Sequence, residues 1–145
     1  MIVVSSAAAG TAKPSPKAAF NARVRAIGTH AQHALLALPP ATPSSTVADA
    51  AATAGQLQAI YQRVARRMAA LTPPKAIKAD FKILLASYQA AARYAAAWRD
   101  AILQGTAQQA ADASHKLYLN PENVRATNAM GRISRMGYYF GTFFH

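Results

Sequence analysis

Residues 77–102 read IKADFKILLASYQAAARYAAAWRDAI. Apolar side chains fall at Ile77, Phe81, Leu84, Tyr88, Ala91, Ala95, Trp98 and Ile102. The steps alternate between four and three for the whole length. An α-helix turns once every ~3.6 residues, so this alternation lays one continuous oily stripe along one helix face. A helix of ~30 residues is ~45 Å long and is not stable alone in water, so the stripe requires partners to cover it.

Three further segments carry the same rhythm. The first is Phe20, Val24, Ile27, Ala31, Ala34, Leu38. The second is Val47, Ala50, Ala54, Leu57, Tyr61, Val64, Met68, Leu71. The fourth, Ala126, Met130, Ile133, Gly137, Phe140, is noisier. Stop and start signals agree with the stripes. Ser15 before Pro16 is an N-cap followed by proline at the first helical position. Pro39-Pro40 ends the first helix. Thr46 with Asp49, and Thr106 with Gln109, have capping-box spacing. Thr72-Pro73 opens the third helix and Gly105 closes it.

These signals predict helices over 16–38, 47–71, 73–104 and 107–138. The connections are short, and short connections make neighbouring helices antiparallel. The expected fold is all-α: an antiparallel up-down four-helix bundle spanning residues 15–140. The alternative is a three-helix bundle with the first helix loosely attached or swapped between chains. Asn120-Pro121-Glu122 interrupts the fourth helix. Proline lacks the backbone donor and clashes with the preceding turn. A kink or short non-helical turn is expected at 119–121, with Asn120 as the cap of a restarted helix.

Composition supports the same reading. The 145 residues fit a single domain, 52% are apolar and only 14% are charged, which is too oily for a disordered chain. About a quarter are alanine, the strongest helix former. Charge is lopsided, with 16 Lys and Arg against five acids and a net charge of +11. A positive field of that size attracts anionic partners such as phospholipid, nucleic acid or cell-wall polymers, or simply keeps the protein dispersed. Arg63, Arg66 and Arg67 form one cluster, Lys75, Lys78 and Lys82 a second across the hinge, and Arg125, Arg132 and Arg135 mark the last helix. Rows of this kind can track phosphates or be plain solvated faces. No recognition helix or interleaved aromatic platform accompanies them, so specific nucleic-acid recognition is not expected.

The two ends of the chain stand apart. Met1 to Gly10 reads like the rear of a secretory signal, with small residues near Ala7 and Ala9, or else like a loose tail. Residues 1–14 are expected outside the fold. Residues 141–145 form an aromatic C-terminal tail, part of a run in which Tyr138, Tyr139, Phe140, Phe143 and Phe144 surround Gly137 and Gly141. Such a run either folds back to plug the bundle's end or forms an apolar patch for homodimerisation or membrane contact.

The stretch Met68-Ala69-Ala70-Leu71-Thr72-Pro73-Pro74, followed by an alanine-rich helix with Tyr88 and Trp98, resembles small exported, lipoprotein-like proteins of high-GC bacteria. These are alanine-rich bundles with a Leu-Thr-Pro-Pro hinge between the second and third helices. The likeness covers residues 45–105. Members often end in a Gly-x-x-x-Cys-Gly tail, where this chain has Gly137-Tyr138-Tyr139-Phe140-Gly141 without cysteine. The resemblance implies an extracytoplasmic location and no known catalytic activity, and it transfers no functional residues.

Inventory removes many chemistries. There is no cysteine, so disulfides, thiolate zinc sites and cysteine nucleophiles are excluded. A single glutamate cannot build the paired Glu-x-x-His motifs of di-iron bundles. No glycine-rich phosphate loop is present. No enzymatic activity and no cofactor are therefore expected. One constellation remains: His30 and His33 on the first helix, and Asp112 and His115 on the fourth, each pair one turn apart. Counted from the helix ends, His30 and His115 lie at the same depth of an antiparallel bundle. Four such groups could hold zinc or copper, although ordinary surface histidines have the same spacing. The leading expectation is a non-catalytic binding or structural protein that contacts anionic envelope components through its basic surface.

Overall fold

The computed structural model describes residue 10 and residues 12–138. The expectations for the signal-like N-terminus through Ala9 and for residues 139–145 lie outside the described residues. Five helices follow in order: α1 (Pro16–Leu36), α2 (Val47–Ala69), α3 (Lys78–Gln104), α4 (Ala107–Tyr118) and α5 (Pro121–Arg135). There is no strand among the described residues. α4 and α5 lie end to end along α3 and make up the fourth rod of an all-α four-helix bundle.

Local chemistry sets the boundaries. The Ser15 hydroxyl accepts from the Ala18 amide at 3.1 Å, with Pro16 at the first helical position. Both capping boxes form: Thr46 with Asp49, and Thr106 with Gln109. The start of α3 differs from expectation. Pro74 takes an extended conformation (φ −55°, ψ 145°), a single 3-10 turn follows at Lys75–Ile77, and the α-helix begins only at Lys78. A residue that precedes a proline is pushed out of the helical region, so Pro73-Pro74 delays the helix rather than opening it. α1 and α2 likewise stop two residues short of the expected ends.

The fourth rod breaks at Leu119-Asn120. Asn120 is buried and caps α5, its Oδ1 accepting from the Asn123 amide at 2.9 Å. Its Nδ2 donates back to the carbonyls of Lys116 and Leu117. Asn123 Nδ2 donates to the Tyr118 carbonyl at 3.0 Å. Carbonyls that a helix end leaves open are thereby satisfied by two side-chain amides. α5 ends on Gly137 at φ 75°, with Gly137 N–H bonded to Ser134 and Tyr138 N–H to Ile133. That is the Schellman arrangement, which needs the left-handed conformation that glycine adopts freely.

Packing divides the bundle into two tiers. In the lower tier Phe20, Val24 and Ile27 of α1, Val64 and Met68 of α2, Phe81 and Leu84 of α3, and Met130 and Ile133 of α5 share one core. In the upper tier Leu57, Ala91, Ala95 and Leu117 from α2, α3 and α4 form a second, smaller core. α1 joins the lower tier and approaches α2 more closely than any other helix. Leu35 of α1 also packs against the upper core, and the four-helix bundle is the architecture observed. α3 packs against α2, α4 and α5 alike.

Two substitutions test this scheme in denaturant unfolding. Leu84 is 1% exposed, so Leu84→Ala should cost about 2–5 kcal/mol, the range for a buried leucine cavity. Asn120→Ala should cost about 1–2 kcal/mol, because the Asn123 amide loses its cap and the Lys116 and Leu117 carbonyls lose a donor, Leu117 keeping only Asn123 Nδ2 at 3.4 Å. A loss below ~0.5 kcal/mol at both positions would mean that neither the stripe nor the break is built this way.

Candidate functional site

The antiparallel order gathers the start of α1, the end of α2, the start of α3 and the end of α5 at one end. Three contacts fix that juxtaposition. The Phe20 and Phe81 rings meet edge to face at 5.8 Å. Lys17 Nζ donates to the Met136 carbonyl at 2.6 Å and sits 4.7 Å from the centre of the Tyr138 ring. The Arg132 guanidinium donates to Asp80 Oδ1 at 2.7 and 3.0 Å. Lys17, Arg66, Arg67, Lys75, Lys78, Lys82 and Arg135 are exposed around this end. Asp80, the acid placed there, is engaged with Arg132. Asp49, Asp100 and Asp112 fall at the opposite end, at the start of α2, the end of α3 and the start of α4. The charge excess is therefore segregated along the long axis.

The arginines of α2 do not form one row. Arg63 and Arg67 line the seam between α1 and α2 with His30, whereas Arg66 lines the opposite seam between α2 and α3. That second seam is a shallow groove of about 520 Å³. Ala65 and Ala69 of α2 and Ala92 and Ala96 of α3 lie along it, and Arg66, Arg93 and three glutamines flank them. Arg99 continues the line by donating to Gln58 Oε1 at 2.9 Å. Arg93 and Arg99 were not singled out from sequence. The signal was present: Arg93 follows Lys82 at a spacing that repeats on one helix face, and the alanines recur every fourth residue in both helices.

His30, His33, Asp112 and His115, the candidate metal ligands, are not brought together. No group of three His, Cys, Asp or Glu able to hold a metal ion occurs among the described residues. His30 turns toward α2, with Nδ1 3.1 Å from Arg67 Nη1, and a guanidinium there repels a cation. Asp112 accepts from Gln108 on its own helix at 2.8 Å. His33 and His115 are exposed. α1 packs chiefly on α2 and α4 on α3, and His30 faces Arg67 of α2 rather than His115 of α4.

A second feature lies where the tiers meet. All five helices line a cavity of about 410 Å³. Leu35 comes from α1, Tyr61 from α2, Leu84, Ser87, Tyr88 and Ala91 from α3, Leu117 and Tyr118 from α4, and Asn123, Ala126, Thr127 and Met130 from α5. The Tyr61 and Tyr88 rings are 6.4 Å apart. Ser87 donates to the Leu84 carbonyl at 2.8 Å. Burial raises the Tyr61 hydroxyl above the ordinary tyrosine range, with Tyr118 adding to the effect. Tyr88 is raised well above it, by burial first and by Tyr61 second. Removing a phenolic proton leaves an anion in a poorly solvated place, so both groups hold their protons. None of the lining residues carries a charge at neutral pH.

No protein family, no curated protein and no solved structure matches this chain.

The tyrosine shifts have a consequence for alkaline stability. The folded state keeps protons on Tyr61 and Tyr88 that the unfolded chain loses near pH ~10, so their contribution to stability is lost as pH rises above that value. Unfolding midpoints measured across the alkaline range should fall less steeply in Tyr61→Phe and Tyr88→Phe than in the parent chain. Parallel curves for all three would contradict the placement of the two hydroxyls.

Proposed function

We propose that this protein is a non-catalytic, exported helical bundle that binds anionic envelope surfaces through its cationic end. One observation carries the reading: the basic residues crowd one end of the rod while three of the five acids lie at the other. A cluster of like charges costs self-repulsion, which a phosphate-bearing surface relieves by supplying counter-charge and releasing small ions. Lys75, Lys78 and Lys82 present flexible ammonium groups at the rim, and Arg63, Arg66 and Arg67 add guanidinium donors suited to phosphate oxygens. Together they track a charged surface without selecting a sequence or a single headgroup. The resemblance of the Leu-Thr-Pro-Pro hinge region to exported alanine-rich bundles supports an extracytoplasmic location. No helix among the described residues is long and apolar enough to cross a membrane. Contact through exposed charge alone is consistent with that.

The experiment is binding to vesicles containing phosphatidylglycerol, and to a teichoic-type polymer, at two salt concentrations. Affinity should fall more than tenfold between ~50 and ~200 mM salt. The triple variant Lys75→Gln, Lys78→Gln, Lys82→Gln should lose about two orders of magnitude at low salt, at ~1 kcal/mol per basic residue near an anionic surface. Lys116→Gln, on α4, should change little. Binding insensitive to salt, or equal in the parent and the triple variant, would refute the reading.

A further inference from the structure

Protein interiors are packed to about the density of organic crystals, and a void much larger than a water molecule is uncommon inside a small domain. The space between the tiers is instead a half-open cleft of ligand size, about 410 Å³, with walls from all five helices and with Tyr118 and Thr127 at its exposed rim. Its position follows from the break in the fourth rod. α4 must turn aside at Leu119-Asn120 before α5 resumes, and the turn is held by side-chain amides rather than by apolar filler. Asn120 and Asn123 satisfy the open carbonyls of α4, so the wall at this point is complete without anything packed into the space. On the opposite side α1 packs chiefly on α2 and contributes Leu35 to the lining.

The lining states what the cavity accepts. This chain carries 16 basic residues, yet none of them lines the cavity, and no acid does. An ion placed there would lose its hydration without gaining a counter-charge. Leu35 and Met130 offer apolar surface above a floor closed by the buried Leu84 and Leu117, and methionine adapts its shape to irregular guests. Tyr61 and Tyr88 offer ring faces and edges. Tyr61 also brings a hydroxyl with no hydrogen-bond partner among the described residues, and burial keeps that hydroxyl a donor.

We propose that this cavity is a binding site for an uncharged, largely apolar aromatic molecule bearing one hydrogen-bond acceptor, such as a carbonyl or ether oxygen, that faces Tyr61. The molecule lies between the α3 floor and the α5 wall, stacked on or edge-on to the tyrosine pair. Tyr118 stands at the cavity edge and is 58% exposed, which gives it room to move aside as the guest enters. This site is separate from the cationic end, and anionic surfaces do not compete for it.

The test uses the full chain and Nile red, an uncharged aromatic dye with a carbonyl oxygen, whose emission shifts blue and brightens in apolar surroundings. The parent chain should bind it saturably with a blue shift. Ala126→Trp, which fills the cavity from α5, should weaken binding at least tenfold, and Tyr61→Phe several-fold. Ala59→Trp, on the exposed outer face of α2, should leave it unchanged, and Tyr61→Phe, which removes only a hydroxyl, keeps the test sound if the cavity variant folds poorly. Unaltered binding in Ala126→Trp would overturn the proposal. So would a parent chain that excludes the dye while Phe143→Ser with Phe144→Ser admits it, since the chain would then be filling its own cavity. Raising the salt concentration should not change the dye affinity, whereas it should weaken binding to anionic vesicles more than tenfold, so the two sites can fail separately.

Discussion

Burial of the α3 stripe is the constraint on which the remaining structure depends. α2, α4 and α5 all pack against α3, and α1 reaches the core through α2 and through the Phe20–Phe81 ring contact. Leu84 and Ala95 are almost wholly buried, and Ile77, buried just before α3, seats the proline hinge on the same core. Alanine along much of α2 and α3 lets those two helices approach closely, which makes their contact the broadest among the described helices. A stripe this long cannot be covered by one partner of ordinary length. It is covered below by α5 and above by α4, and the join between them opens the central cavity.

Charge segregation follows from the same topology. Basic residues lie near the start of α1, the end of α2, the start of α3 and the end of α5, and an up-down bundle brings those four places together. The cost in self-repulsion is moderated locally by the Asp80–Arg132 bridge and by long side chains that extend into water. At helix C-termini the same cations face the negative end of the helix dipole, which favours Arg66 and Arg67 on α2 and Arg132 and Arg135 on α5. On α1 and α3 the basic residues lie at the unfavourable helix end, so their concentration there is not explained by helix stability.

Much of the fold could be read from sequence because it is written in local signals. The 4-3 spacing marks α1, α2, α3 and α5, the Thr106–Gln109 capping box marks α4, and Ser15, Thr46, Thr106 and Asn120 act as the caps their side chains predict. The Pro73-Pro74 start was misread because the first proline restricts the residue before it while the second extends that restriction by one. Rotation about helix axes was the information sequence could not supply. Arg63 and Arg66 are one turn apart yet enter different seams, and His30 faces Arg67 rather than α4. The cavity was equally hidden, because its lining comes from residues as far apart as Leu35 and Met130 and exists only once five helices are assembled.

Native-state hydrogen exchange tests the central role of α3 most directly, since amides are protected by as much as the free energy needed to open the element that holds them. The backbone amides of α3 from Phe81 to Trp98 should be the slowest in the chain and should exchange only by global unfolding. Those of α1, and of α2 before Leu57, should open more readily. If the α3 amides exchanged as fast as those of α1, the bundle would not be organised around that stripe.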